Sequence, residues 1–240
     1  MSNSDLKPAA VPKSVARPKS EATRKQILSA ALERFRKQGF EAATMREIAR
    51  CAGVATGAAY YYFDSKDAIV LAFYDQAQQD MAPLLEAALA STKDLEERIR
   101  RIIRIKLDYF EPSRAFLGAL SAHSDPQHPL SPFSEQSRAI RESDMGYFER
   151  ALAGSRSRLP DDLQPYLPRL LWMYQMGLIL FWIYDRSEGQ RRTHALLDKS
   201  LRVVVRLLKL SGLPLMQPLR RMVIDLTDTA MGESVPGETS

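Results

Sequence analysis

The stretch TMREIARCAGVATGAAYYYFDSK, residues 44–66, decides the fold because it predicts two short helices joined by a glycine turn. Thr44 and Glu47 have the spacing of a capping box, in which each side chain satisfies a backbone amide at the start of a helix. Gly53 stands where a tight turn needs a positive φ, which glycine adopts at little steric cost. The residues after the turn are small or carry hydroxyl groups, so their helix can lie deep in a DNA major groove. We therefore predict a helix-turn-helix with its recognition helix at about residues 55–61.

A longer pattern surrounds this motif. An amphipathic helix over residues 23–35 precedes it, and the other positions that carry the pattern are Gly39, Phe40, Thr44, Ile48, Ala49, Ala52, Gly53, Val54, Gly57, Tyr60, Tyr62, Phe63, Ser65 and Lys66. The whole pattern resembles the N-terminal DNA-binding domain of the tetracycline-repressor (TetR) family of bacterial regulators, and the resemblance covers residues 20–70. Two positions depart from it: Ala55 stands where the family usually has a serine cap, and Ala58 where it often has threonine or serine.

The resemblance implies which residues contact DNA. The expected DNA-binding residues are Thr44, Ala55, Thr56, Gly57, Ala58, Tyr60, Tyr61 and Lys66. Of these, Thr44, Tyr60 and Lys66 are expected to hold phosphates. Gly57 and Ala58 are expected to lie against base edges, where the methyl group of Ala58 can contact a thymine methyl.

Three other residues of the motif are expected to have structural roles. Tyr62 and Phe63 fall on the opposite side of the helix from Tyr61, so we expect them to pack in the domain core against the first helix. Cys51 lies on the apolar side of its helix and is expected to be a small buried filler, not a nucleophile or a redox sensor.

Composition and charge agree with a DNA-binding protein. The chain has 240 residues, enough for one large domain or two small ones, and a net charge of +5. Residues 1–66 hold 12 Lys and Arg against 6 Asp and Glu, whereas residues 67–240 hold 22 against 23. The positive excess lies where phosphate binding requires it, although basic tails without such a role are also common. The single cysteine and the lack of an apolar N-terminal stretch lead us to expect a cytoplasmic protein.

No strand-like alternation persists along the chain, so the predicted fold is all-α. We divide it into a disordered basic arm (1–19), a three-helix DNA-binding domain (20–64), a larger helical ligand-binding and dimerisation domain (65–213), and a C-terminal tail with room for a short helix (214–240). The functions of the larger domain are those that the resemblance implies. The arm is either a minor-groove contact or simply an untidy terminus.

Two helices are predicted to open the larger domain. The first, residues 65–90, begins at a serine cap and is the mechanical link between the two halves of the chain. The second, residues 94–110, is amphipathic, with isoleucine side chains inward and arginine side chains, among them Arg98 and Arg101, outward.

The segment from Leu170 to Tyr184, LLWMYQMGLILFWIY, contains one plainly polar residue, Gln175. It is too short to cross a bilayer core, which needs about 20 apolar residues, so we expect no membrane span. We expect one face of this helix to line a cavity and another to meet a second subunit, although it could also be the core helix of a single chain. The next helix, at about 190–211, has an apolar stripe formed by Leu197, Leu201, Val204, Val205 and Leu208. The two helices predict a homodimer, in which they would form a four-helix interface.

The resemblance also implies an effector cavity among the central helices. The candidate ligand-binding residues are Tyr109, Phe110, Phe116, Phe148, Trp172, Met173, Gln175 and Met176. Rings and thioethers form an adaptable apolar wall, which favours a hydrophobic effector. The same residue types at helical spacing are also typical of plain core packing.

These features together predict a regulator and not an enzyme. We expect a ligand-responsive transcription factor, a repressor released from a palindromic DNA operator by a hydrophobic small molecule. No cofactor or metal is expected, since the three histidines lack the fixed spacing of a metal site. The alternative is a helical small-molecule or lipid-binding module that does not bind a specific operator.

Overall fold

The computed structural model describes residues 18–121 and 125–231, and these residues form helices and turns without a strand, which confirms the all-α prediction. The α-helices are α1 (Pro18–Gln38), α2 (Met45–Cys51), α3 (Thr56–Tyr62), α4 (Lys66–Ala90), α5 (Leu95–Phe110), α6 (Arg114–Leu120), α7 (Arg138–Ala153), α8 (Leu167–Tyr184), α9 (Arg191–Leu210) and α10 (Gln217–Met231). Apart from residues 18–19, which begin α1, the predicted arm lies outside the described residues. No described helix is long and apolar enough to cross a membrane.

Helices α1 to α3 form the helix-turn-helix unit that the sequence predicts. The capping box is present: the Thr44 side chain accepts from the backbone amide of Glu47, and the Glu47 carboxylate accepts from the amide of Thr44. Gly53 has a φ of 65°, in the left-handed region that the turn requires. The side-chain amide of Gln26 donates to the Ala52 carbonyl at 2.8 Å, which fixes the turn against α1.

Helix α4 joins the two halves of the protein, as predicted. Its N-cap, Ser65, accepts a hydrogen bond from the amide of Ala68 at 3.0 Å. The first turns of α4 bury Ile69 and Val70, whereas Met81 and Leu85 lie in the core of the larger domain. All of these side chains belong to one continuous apolar cluster, so α4 cannot move without disturbing the packing on both sides.

A second contact between the halves runs through α6. The ring of Phe116 stacks on that of Phe35 in α1, with centroids 5.3 Å apart and an interplanar angle of 15°. Beside it, the Arg36 guanidinium donates to the Ser113 hydroxyl at 2.9 Å. The same helix also contributes Leu117 and Leu120 to the wall of a cavity in the larger domain. The helix-turn-helix unit therefore touches an element of the cavity wall directly.

The prediction that Arg98 points outward is wrong. Its side chain is buried, and the guanidinium donates to the carbonyls of Leu89 and Thr92 at 2.5 and 2.7 Å. It also donates to those of Arg150 and Ala151 at 2.8 and 2.9 Å. Carbonyls at a helix C-terminus lack partners within the helix, and Arg98 supplies donors to the ends of both α4 and α7.

We predict that Arg98→Met destabilises the protein by about 2–5 kcal/mol, because it leaves several buried carbonyls without a donor. The free energy of unfolding from urea denaturation measures this loss. Arg101→Met, one turn away on a side chain that is 41% exposed, is the matched control and should cost less than about 1 kcal/mol. Equal losses in the two variants would contradict the structural role of Arg98.

Candidate functional site

The recognition helix α3 presents most of its surface to solvent. Of its residues only Ala59 is buried, while the side chains of Tyr60 and Tyr61 are 52% and 82% exposed. The predicted contacts Ala55, Thr56 and Gly57 are also exposed, and Ala58 is half-buried. Ala55 is the N-cap residue and makes no side-chain cap hydrogen bond, consistent with its departure from the serine that the family prefers. These residues form one accessible face on α3.

The other rings of the motif lie where the sequence predicts. Phe63 is 3% exposed and packs under the guanidinium of Arg24 in α1, 4.9 Å from the ring centroid, and Tyr62 packs against the same core. The prediction for Cys51 is wrong: this side chain is exposed, and its sulfur accepts from Arg34 Nε at 3.0 Å. Cys51 is the last residue of α2, so no further turn of that helix follows to shield its side chain.

Two of the predicted phosphate contacts also have structural partners. Lys66 Nζ donates to the carbonyls of Phe40 and Glu41 at 2.8 and 3.2 Å and lies 4.6 Å from the centroid of the Phe40 ring. An ammonium group has three N–H donors, so these bonds use two of them. Thr44 is exposed at the start of α2, where its hydroxyl takes part in the capping box. Lys66 thus fixes the start of α4 to the loop between α1 and α2.

A cavity of about 440 Å³ lies in the larger domain between α4, α5, α6, α7 and α8. Its wall is mostly apolar. Five of the sequence-predicted ligand residues line it, namely Phe110, Trp172, Met173, Gln175 and Met176. A volume of this size, lined by rings and aliphatic side chains, is typical of a small-molecule site.

The three other predicted ligand residues do not line the cavity. The hydroxyl of Tyr109 instead donates to Asp80 at 2.7 Å. Phe148 is fully buried in the core, and Phe116 forms the contact with α1. The resemblance and the aromatic residue type suggested all three, but neither distinguishes a ring that borders an empty volume from one surrounded by side chains.

A polar cluster interrupts the apolar wall at one place. Lys106 Nζ lies 2.7 Å from Asp144 Oδ1, and the side-chain amides of Gln78 and Gln175 donate to the same carboxylate at 2.6 and 3.0 Å. All four residues line the cavity. Burial lowers the pKa of Lys106, and the attraction of Asp144 opposes this effect. We call these four residues the Asp144 cluster.

Sequence reasoning found one member of the Asp144 cluster, Gln175, because it is the one polar residue in an apolar run. Lys106 also had a usable signal, since it lies three and four residues after Ile103 and Ile102 on the buried side of α5. Gln78 and Asp144 stand among other polar residues in their helices, and nothing in the local pattern marks them. Only the packing of four helices brings the group together.

Helices α8 and α9 carry apolar side chains that no described part of the protomer covers. On α8 these are Met173, Leu180, Phe181 and Tyr184, and on α9 they are Leu196, Val203, Leu207 and Leu210. The prediction that the stripe of α9 meets a second subunit is wrong: Leu197, Leu201 and Val205 are buried in the protomer's own core, and Val204 and Leu208 are half-buried. Helix α9 therefore has one apolar side facing its own domain and a second facing outward.

Comparisons with known proteins place these features in context. Residues 27–73 match the family model described as bacterial regulatory proteins of the tetR family, and residues 98–227 match the tetracyclin repressor-like C-terminal domain. Over 98 residues the chain is 37% identical to the HTH-type transcriptional regulator RutR of Escherichia coli K12. The aligned stretch covers 40% of this chain and 46% of that protein. The chain thus aligns with less than half the length of this curated relative.

Solved structures support the same fold. A TetR transcriptional regulator from Nitrosomonas europaea superposes with a TM-score of 0.60 at 22% identity, over 76% of this chain and 97% of that one. The Thermus thermophilus FadR repressor in complex with lauroyl-CoA superposes with a TM-score of 0.56 at 24% identity, over 76% and 93% of the two chains. At these identities the likeness shows the fold alone.

We predict that Tyr61→Ala changes the stability of the helix-turn-helix unit by less than about 0.5 kcal/mol, because its ring is exposed. Phe63→Ala, two residues away, removes a buried ring and should cost about 3–5 kcal/mol. Thermal unfolding followed by circular dichroism measures both changes. A large loss in Tyr61→Ala would mean that this ring is a packing residue and not a surface group.

Proposed function

Because the chain belongs to the TetR family of bacterial transcriptional regulators, we propose that it is a dimeric repressor that a hydrophobic small molecule releases from a palindromic DNA operator. TetR-family regulators bind DNA and form dimers. The observation that carries the proposal for this chain is the position of α4, which follows α3 after three residues and continues as a wall of the cavity.

The DNA-binding side of the proposal rests on exposure and charge. The face of α3 that carries Tyr60 and Tyr61 is open to solvent, and small residues at Gly57 and Ala58 let the helix backbone approach base edges. The excess positive charge of the chain lies within residues 1–66, as attraction to a phosphate backbone requires. Both features suit a helix that enters the major groove.

The dimer rests on the uncovered apolar sides of α8 and α9. An exposed patch of this kind on a soluble domain marks an interaction surface. Gly177 lies inside α8, where a glycine costs about 1 kcal/mol relative to alanine. A close contact with a second helix, which a side chain would prevent, can compensate for this cost. A Cβ atom added there would meet nothing within 4 Å in the protomer, so the gap is open to a partner helix. Met173, Gly177 and Leu180 also line the cavity, so a partner on this side would cover part of it.

The release mechanism uses two connections between the cavity and α3. Helix α4 is the covalent one, and Lys66 fixes its first turn to the loop before α2. The stacked pair of Phe116 and Phe35 is the second, through α6. A ligand that spreads the cavity walls would tilt α4 and shift α6, and so change the separation of the two recognition helices. Ligand and DNA then favour different states, and each weakens the binding of the other.

The apolar wall supports a hydrophobic effector. Two FadR structures that share this fold hold acyl-CoA molecules, lauroyl-CoA in the Thermus thermophilus protein and stearoyl-CoA in the Bacillus subtilis protein. We carry over from them only that a regulator with this fold can bind a molecule that contains a long apolar chain.

A gel shift with the DNA that flanks the protein's own gene, at two salt concentrations, tests operator binding. We predict binding that strengthens as salt falls, and a loss of about tenfold in Tyr61→Ala. Tyr61→Phe is the matched variant, because it keeps the ring and removes only the hydroxyl. The binding-module alternative predicts no preference for this DNA over random sequence, and unchanged affinity in Tyr61→Ala would remove α3 from the DNA contact.

Sedimentation of Leu207→Glu tests the dimer. This leucine is 54% exposed in the protomer, so the variant should fold normally, but a dimer would bury its carboxylate unpaired at a cost of several kcal/mol. We predict a monomer with operator affinity reduced by at least about a hundredfold, because one half-site offers too little contact. Arg206→Glu, its neighbour on the polar side of α9, is the control and should remain dimeric. A fully dimeric Leu207→Glu would assign the interface to another surface.

A further inference from the structure

We propose that the cavity selects an effector with an apolar body and one uncharged head group, which donates an O–H or N–H hydrogen bond to the side-chain oxygens of Gln78 and Gln175. The inference rests on the proposed function, since it names the chemical class of the molecule that enters the same cavity. It goes further by assigning the Asp144 cluster as the site that recognises the head group.

The orientation of both glutamines follows from Asp144. Gln78 Nε2 lies 2.6 Å from Asp144 Oδ1, and Gln175 Nε2 lies 3.0 Å from Asp144 Oδ2. A carboxylate only accepts hydrogen bonds, so each glutamine must turn its NH₂ group towards Asp144 and its oxygen away from it. The usual ambiguity between the oxygen and nitrogen of a glutamine is thereby removed.

The two glutamine oxygens are unused acceptors. Both are buried, and neither has a hydrogen-bond donor among the residues that the structure describes. The Gln175 side chain as a whole is fully buried in a wall of the cavity. A buried acceptor that has lost water and gained no donor is unfavourable, so a ligand that supplies a donor at this point gains affinity.

The charges of the cluster exclude an ionised head group. Lys106 and Asp144 form an ion pair, so their charges compensate each other. An anionic head would meet the Asp144 carboxylate and two amide oxygens, and a cationic head would meet the Lys106 ammonium. Arg141, the other charged residue that lines the cavity, is anchored through Nη1 to the carbonyls of Pro132 and Ser134. At the position of the glutamine oxygens, an ionised head of either sign would therefore lose its hydration beside a group of like charge.

A hydroxyl or amide head fits the cluster better than an ether or ester. Either group donates to a glutamine oxygen, and its own oxygen can also accept from Lys106, which has three N–H donors and one carboxylate partner. An ether or ester can only accept. The head would also engage Gln78, which lies on α4, and so act directly on the helix that leads to the DNA-binding unit.

The two tryptophans of the chain, Trp172 and Trp182, both line the cavity, so intrinsic fluorescence reports its occupancy. The probes are decanol, decyl methyl ether, decanoate and decylammonium, which present different head groups on the same apolar body. We expect decanol to bind about fivefold more tightly than the ether, as one net hydrogen bond provides. Decanoate and decylammonium should bind more weakly than the ether.

Two other outcomes are informative. Ether affinity equal to that of decanol, or tighter binding of either ion, would overturn the head-group assignment and leave the hydrophobic cavity intact. No fluorescence change with any probe would overturn both the assignment and the proposed hydrophobic effector. The two failures are therefore distinguishable.

Gln175→Leu tests the acceptor itself. It should lower the decanol-to-ether affinity ratio, because it removes one of the two acceptors, while the ether affinity stays within about twofold of the wild-type value. Gln79→Leu, an exposed position on α4, is the control and should keep the ratio. Gln78→Leu removes the other acceptor and should lower the ratio in the same way, and thermal unfolding verifies that each variant is folded. A ratio that is unchanged in every folded glutamine variant would show that the glutamine oxygens do not recognise the head group.

Discussion

The packing of the larger domain depends on the ion pair and the hydrogen bonds that converge on the carboxylate of Asp144. It lies on α7 and binds Gln78 of α4, Lys106 of α5 and Gln175 of α8, so four helices meet at one charged group. Buried charges are tolerated only when they are paired and hydrogen-bonded, and here the partners come from every helix that forms the polar side of the cavity. Any shift of one helix changes the distances that stabilise this charge.

The same arrangement connects the cavity with the DNA-binding unit. Gln78 lies near the middle of α4, and the first turn of that helix is held to the loop before α2 by Lys66. On the other side, α6 contributes Leu117 to the cavity and Phe116 to the stack with Phe35. The apolar core is continuous across both halves, so in the proposed mechanism a displacement at the cavity would be passed on through packed side chains and not through a flexible linker.

The sequence predicts the elements whose signals are local. The capping box at Thr44, the positive φ at Gly53 and the serine cap of α4 depend on neighbouring residues, and the structure has all three. The sequence does not predict contacts that depend on residues far away in the chain. Arg98 lies three residues after Leu95 and four before Ile102, on the buried side of α5, yet its charge suggests the surface. Only the carbonyls at the ends of α4 and α7 supply the partners that allow its guanidinium to be buried. Phe116 shares its apolar character with the cavity residues, and only the approach of α1 assigns it to the contact between the halves.

The most direct test of the account uses the single cysteine, Cys51, which is exposed at the end of α2. A spin label on Cys51 of each subunit of the dimer gives one distance between the two DNA-binding units, measurable by pulsed electron resonance. On operator DNA we predict a narrow distribution that is compatible with recognition helices about 34–36 Å apart. Saturating decanol, with occupancy followed by tryptophan fluorescence, should shift the distance in the free dimer by at least about 2 Å. An identical distribution with the cavity filled would contradict the coupling between ligand and DNA.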